Sequence, residues 1–190
     1  MAVIYLALVA AVIGLGFALA LTIWILRQDE GSEQVQFIGR AIRQGARAFL
    51  SLEYRMIAIF VVVIAIILGV FIDYDVTGRV AENTDGDSGD RTLPSTAIAY
   101  LAGAMGSALA GFIGMSIAIR ANTRTVVKAQ IGLNSALRVA FNSGTVMGIT
   151  VVSIGLLGVT VVYWVFQDIS IVAGFAFGAS SIALFARVGG

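Results

Sequence analysis

The sequence predicts an all-α integral membrane protein, and three observations carry that prediction. Hydrophobic residues make up 59% of the 190-residue chain and charged residues only 12%. The apolar residues collect in five long runs, and many of the 22 glycines fall inside them. A soluble domain averages about 45–50% apolar and about 25% charged residues. So short a chain cannot hide this much apolar surface from water, because a small domain keeps a large surface to cover. Disordered chains combine low hydrophobicity with high charge, the reverse of this balance. There is no cysteine and no histidine. Disulfide scaffolds and thiolate chemistry are thereby excluded, and the commonest zinc ligand and general base are missing. A net charge of +1, without a basic stripe or stacking platform, gives no footprint for nucleic acid.

A spanning helix needs about 20 mostly apolar residues. The first run, 2–26, is uncharged throughout. It lacks a cationic leading segment and a small-residue cleavage site before Arg27, so it reads as a retained helix. The second run is 56–72, prefaced by a mixed stretch at 46–55. The third is 97–119, the fourth 139–166 and the fifth 169–185, with Arg187 just beyond. The runs are continuous and do not alternate with a period of two, so barrel strands fit poorly. Hydrocarbon leaves helices or closed barrels as the only spanning structures. The expectation is five transmembrane helices over about 2–26, 47–72, 95–119, 138–166 and 169–188, in one membrane unit, 1–190.

Orientation follows from the connections. The first carries Arg27, Arg40, Arg43 and Arg47, and the third carries Arg120, Arg124, Lys128 and Arg138. The second holds Arg79 and Arg91 against Asp73, Asp75, Glu82, Asp85, Asp87 and Asp90. Basic connections stay in the cytoplasm, so the N-terminus is expected outside and the C-terminus, with Arg187, on the cytoplasmic side. The segment TDGDSGD at 84–90 has closely spaced carboxylates but lacks the glutamate and flanking helices of a calcium loop. It reads as a solvated outer loop.

Small residues line the helices: Gly103, Ser107 and Gly111; Gly106, Ala110 and Gly114; Gly144, Gly148, Gly155 and Gly158; Gly174 and Gly178. Helices in lipid associate through such stripes. Five helices so rich in glycine would leave faces without partners, which points to a larger bundle. Candidate chemical groups are few. Glu53 and Arg55 fit an interfacial anchor or a catalytic pair. Ser180 and Ser181 fit backbone hydrogen bonding or a polar path. Arg187, followed at once by Val188, Gly189 and Gly190, fits a snorkelling anchor or a functional charge.

Four blocks in order sharpen this reading. They are GARAFL at 45–50 with EYR at 53–55, GFIGM at 111–115 running into RANTRT at 120–125, LRVAF at 137–141 with SGTVMG at 143–148, and FGASSIALFARVGG at 177–190. Together they resemble the membrane-bound, ion-pumping inorganic pyrophosphatases, and the last block is similar to the signature of that family's fifth helix. The resemblance implies a sixteen-helix, homodimeric pump of the cell membrane that hydrolyses Mg²⁺-pyrophosphate on the cytoplasmic side and moves H⁺ or Na⁺ outward. It implies an N-terminus outside and a pyrophosphate pocket of Asp and Lys residues that begins after the Arg-Val-Gly-Gly sequence.

On that resemblance the 190 residues form an N-terminal part with five of the helices, without substrate, metal or catalytic residues, and are expected to be inactive alone. One site residue carries over. Arg187 matches an arginine that the family places in its ion-coupling region, beside carboxylate and lysine partners from later helices. GASSIAL at 178–184 resembles the potassium-stimulated branch, which implies K⁺ as an activator. A complete five-helix scaffold or transporter subunit without enzyme activity is the competing reading.

Overall fold

The computed structural model describes residues 2–73 and 94–189, the last four of these by backbone alone. Five helices make up the described chain: α1 (Ala2–Leu26), α2 (Glu33–Leu68), α3 (Ser95–Ile131), α4 (Leu133–Phe166) and α5 (Ile169–Gly189). A π-helical turn, Gly69–Asp73, extends α2. No strand occurs among the described residues. Four of the elements are long and apolar enough to cross a membrane, namely α1, α2 with its π turn, α3 and α4. Within α5 the apolar stretch is shorter, Ile169–Phe185. The 84–90 segment lies outside the described residues.

Three helices run well past the apolar stretches that announced them. The second expected helix, 47–72, begins instead at Glu33, and the third continues to Ile131, not 119. The fourth begins at Leu133, where 138 was expected. The basic connections are therefore mostly helical. The cause is that apolar run length measures bilayer thickness, whereas Arg, Gln, Lys, Ala and Glu propagate a helix as well in water as leucine does in lipid. Between α3 and α4 only Gly132 interrupts the helical backbone.

The helices pack as two compact units, with α2, α3 and α4 contributing to both. The first unit holds residues 1–54 and 109–156. There α1 buries Ala11, Ala18 and Ile25. Their spacing of seven matches the seam of a left-handed helix pair. Ala18 and Ile25 share a core with Ile117 and Ala121 of α3 and Val139 and Val146 of α4. Close approach fixes the seams: Gly14 faces Ser153, Gly39 faces Thr123 and Gly114 faces Met147.

The second unit holds residues 55–108 and 157–190. Its core is Ala99, Val162, Ile171 and Phe175. At its edge Asp73 accepts hydrogen bonds from the backbone N–H of Thr96 (3.0 Å) and of Ala97 (2.9 Å). A carboxylate on the first turn of α3 satisfies two orphan donors and complements the helix dipole. The turn between α4 and α5 is two residues. Gln167 closes α4 in the left-handed region at φ 52°, and Asp168 Oδ1 accepts from Ser170 N at 2.8 Å to start α5.

Candidate functional site

Two arrangements position the chain's charged residues. In the second unit, α5 is held against α3 by backbone contact. A side chain at Gly103 would collide with the Phe175 carbonyl, and one at Gly178 with the Tyr100 carbonyl. The contact is reciprocal, so it fixes both the height and the rotation of α5. Gly174 continues the seam, with Thr96 3.1 Å from where its Cβ would stand. Gly158 of α4 admits the Phe175 ring. Phe185 then meets Phe60 of α2 edge-on, with ring centroids 4.9 Å apart.

Arg187 stands on α5 two residues beyond Phe185, within the helical backbone; its side chain lies outside the described residues. Ser181 Oγ donates to the Phe177 carbonyl at 2.8 Å, the backbone-bonding alternative. Glu53 is half-buried, and its Oε1 has no hydrogen-bond partner among the described residues. Arg55 is exposed, as an interfacial anchor would be.

In the first unit the central group is Arg124, 4% exposed. Its guanidinium donates to the carbonyls of Leu26 (3.2 Å), Gln28 (3.2 Å) and Arg120 (2.6 Å), and to Glu30 Oε1 at 2.7 Å. The Leu26 and Gln28 carbonyls are acceptors that the end of α1 leaves unpaired. Arg124 therefore caps α1 from α3, and its planar fork of five donors is what makes four simultaneous bonds possible. Glu30 also lies 3.9 Å from Arg43 on α2. Gly31, at φ 85°, turns the chain against Val127, with its N–H bonded to Asp29 Oδ1 at 2.9 Å.

Sequence reasoning counted Arg124 only as one of several basic residues. The available signal was Asp29–Glu30, the adjacent acidic pair in the short connection after α1, which needed a cationic partner. Among the described residues no group of three or more His, Cys, Asp or Glu comes together as a metal site.

These observations define a multi-pass helical membrane protein with basic helix extensions and a glycine-seated fifth helix. The chain belongs to the inorganic H⁺ pyrophosphatase family, whose family model matches residues 12–190. It is 38% identical over 187 residues to a K⁺-insensitive pyrophosphate-energized proton pump of Methanosarcina mazei, covering 98% of this chain and 25% of that protein. A K⁺-insensitive proton pump of Pyrobaculum aerophilum is 37% identical over 193 residues, covering 97% of this chain and 25% of that protein. A K⁺-stimulated pyrophosphate-energized sodium pump of Thermotoga maritima is 35% identical over 202 residues, covering 94% of this chain and 25% of that protein. The chain thus spans about a quarter of the length of the curated relatives it matches. Potassium-insensitive and potassium-stimulated relatives stand at similar identity, so overall identity does not choose between them.

Proposed function

We propose that this chain is the N-terminal part of a pyrophosphate-energised cation pump, which couples Mg²⁺-pyrophosphate hydrolysis on the cytoplasmic side to outward transport of H⁺ or Na⁺. The observation that carries the reading is a family match extending over residues 12–190, with relatives named as pumps aligning over nearly the whole chain. The small-residue faces agree with it. Gly144, Gly148 and Gly155 of α4 meet nothing within 4 Å, as expected of a bundle completed by further helices.

In this reading residues 1–190 form one membrane unit of five crossings, with the N-terminus outside and the C-terminus cytoplasmic, in a homodimeric protein. Mg²⁺ and the pyrophosphate ligands belong to later parts of the pump, and the GASSIAL resemblance supports K⁺ as activator. Arg187 lies in the ion-coupling region. An arginine stays protonated in any protein environment, so it keeps a neighbouring carboxylate ionised and ordered until the transported ion arrives. The glycine seam of α5 supports this role, because a charge can organise a partner only from a fixed backbone.

Expressed as these 190 residues, the chain is expected to release no phosphate from pyrophosphate with or without Mg²⁺, since phosphoryl transfer needs metal-neutralised charge and a positioned water. Hydrolysis above background, with host pyrophosphatase removed, contradicts that. Single cysteines at Ser88 and Gln130 test the topology, and Gln130 is exposed on the basic end of α3. They are expected to react with an impermeant thiol reagent from opposite sides. Reaction from one side overturns the orientation.

A further inference from the structure

The first unit contains a cleft that the pump reading does not use. It has a volume of about 260 Å³ and lies between α2 and α3. On α2 it is lined by Arg43, Arg47 and Leu50, and on α3 by Phe112, Ser116 and Arg120. Each set repeats at helical spacing, three or four residues apart, so each is one face of its helix. The cleft is cationic at one end and apolar at the other. Tyr54, the next residue along the α2 face, meets Phe112 with ring centroids 6.4 Å apart. Beyond Phe112, 49% exposed, the α3 face continues to Leu109, 54% exposed.

In sequence the charges border the apolar runs. Arg120 immediately follows the apolar run 97–119, and Arg47 precedes the apolar run 56–72. Arg43 has Glu30 at 3.9 Å, whereas Arg47 and Arg120 are exposed and have no ion-pair partner among the described residues. Two unneutralised guanidiniums above an apolar groove ask for a ligand that is anionic at one end and hydrocarbon at the other. A free phosphate satisfies only the first requirement, and an apolar side chain only the second. Arginine forks match phosphate oxygens in pairs, and basic pockets between membrane helices on the cytoplasmic side take anionic headgroups.

We infer that the α2–α3 cleft binds an anionic phospholipid, its phosphodiester between Arg47 and Arg120 and an acyl chain along Leu50, Phe112 and Leu109. The site is separate from pyrophosphate chemistry, and it is read by binding and not by pumping.

The test uses the full-length protein in neutral detergent, with lipid retention followed by native mass spectrometry after adding phosphatidylglycerol or phosphatidylcholine of identical chains. The expected result is selective retention of phosphatidylglycerol, unaffected by excess inorganic phosphate. Removing a surface cation that holds an anionic headgroup weakens binding about fivefold, so Arg47→Gln with Arg120→Gln should lose roughly 25-fold. Ser116→Trp, which fills the groove and keeps both arginines, is expected to reduce retention as well. Arg55→Gln, exposed on the same helix outside the cleft, should bind as wild type does. Unchanged dissociation temperatures for these variants separate loss of lipid from loss of fold. Equal retention of phosphatidylcholine overturns the inference, as does wild-type retention in the double variant. Displacement by inorganic phosphate makes it a free-anion site and equally overturns it.

Discussion

The two units are held together by opposite means. In the first, a buried arginine reaches across from α3 and ties down the end of α1 and the residues after it through three polar bonds, to Leu26, Gln28 and Glu30. In the second, α3 and α5 meet backbone to backbone at Gly103 and Gly178, and the contacts require only the absence of side chains. The difference follows from the medium around each helix segment. The α1 end sits beside charged helix extensions, where carbonyls left over at a terminus can be matched by a guanidinium. The α3–α5 seam lies in the apolar stretch, where lipid tails are as greasy as leucine and only close packing distinguishes one neighbour from another. One arrangement tolerates loss neither of the charge nor of the guanidinium fork. The other tolerates neither bulk nor shift.

Bulk at the seam should therefore be the most damaging single change. Gly178→Leu drives a side chain into the Tyr100 carbonyl, a rigid neighbour that cannot swing aside as Met147 can from Gly114. A loss of about 3 kcal/mol is expected, read as a fall in unfolding midpoint in detergent, whereas Gly114→Ala, whose neighbour is the flexible Met147 side chain, should cost far less. Equal tolerance at both positions would dissolve the contrast between the units.

Arg124→Ala comes next. It strands three carbonyls and Glu30, but Glu30 is one-third exposed and can recover water, so the cost should be about 2 kcal/mol. Arg124→Lys should recover less than half of it, because three donors on a flexible stem cannot reproduce a fork that serves four acceptors. Full rescue by lysine would show that charge alone holds the α1 end. The Asp73 cap sharpens the comparison further, being a polar clamp inside the glycine-seamed unit. Asp73→Ala should cost about 1 kcal/mol and loosen the first turn of α3, seen as faster amide exchange at Thr96 and Ala97. The smallest effect belongs to the α4–α5 turn. Gln167 occupies left-handed space at φ 52°, and Gln167→Gly should shift stability by about 0.5 kcal/mol or less, relief of the side chain offsetting lost backbone restriction.

The membrane class and α1, Ala2–Leu26, were legible because uncharged apolar length is a direct measure of bilayer crossing. The helix extensions were not, because residues 33–46 and 120–138 carry charge, and charge marks where a helix leaves the membrane without marking where the helix stops. The glycine stripes were legible as packing surfaces, but which glycines meet backbone was not. Gly103 and Gly178 look the same in sequence as Gly144 and Gly148, and only the placement of α5 separates them. The Arg124 clamp was hidden for a related reason. Two of its acceptors are main-chain carbonyls more than 90 residues away, and every residue type supplies a carbonyl. Arg187 stands out in the sequence through family resemblance alone, and the fold adds only that it lies within the helical backbone of α5.

The measurement that bears most directly on the pump reading is pyrophosphate-driven ion uptake recorded alongside phosphate release, in sealed vesicles carrying the full-length protein. Wild type, Arg187→Lys and Arg187→Ala should be compared at equal amounts of folded protein. Wild type is expected to take up ions only with pyrophosphate. Arg187→Lys should lose roughly ten- to hundredfold in transport, more than in hydrolysis, as expected for one charge-assisted hydrogen bond of about 1.5–3 kcal/mol. Arg187→Ala should be worse, because it leaves a buried carboxylate unpaired. Wild-type transport in Arg187→Lys would return the residue to an interfacial anchor, and wild-type vesicles without pyrophosphate-dependent uptake would contradict the pump itself.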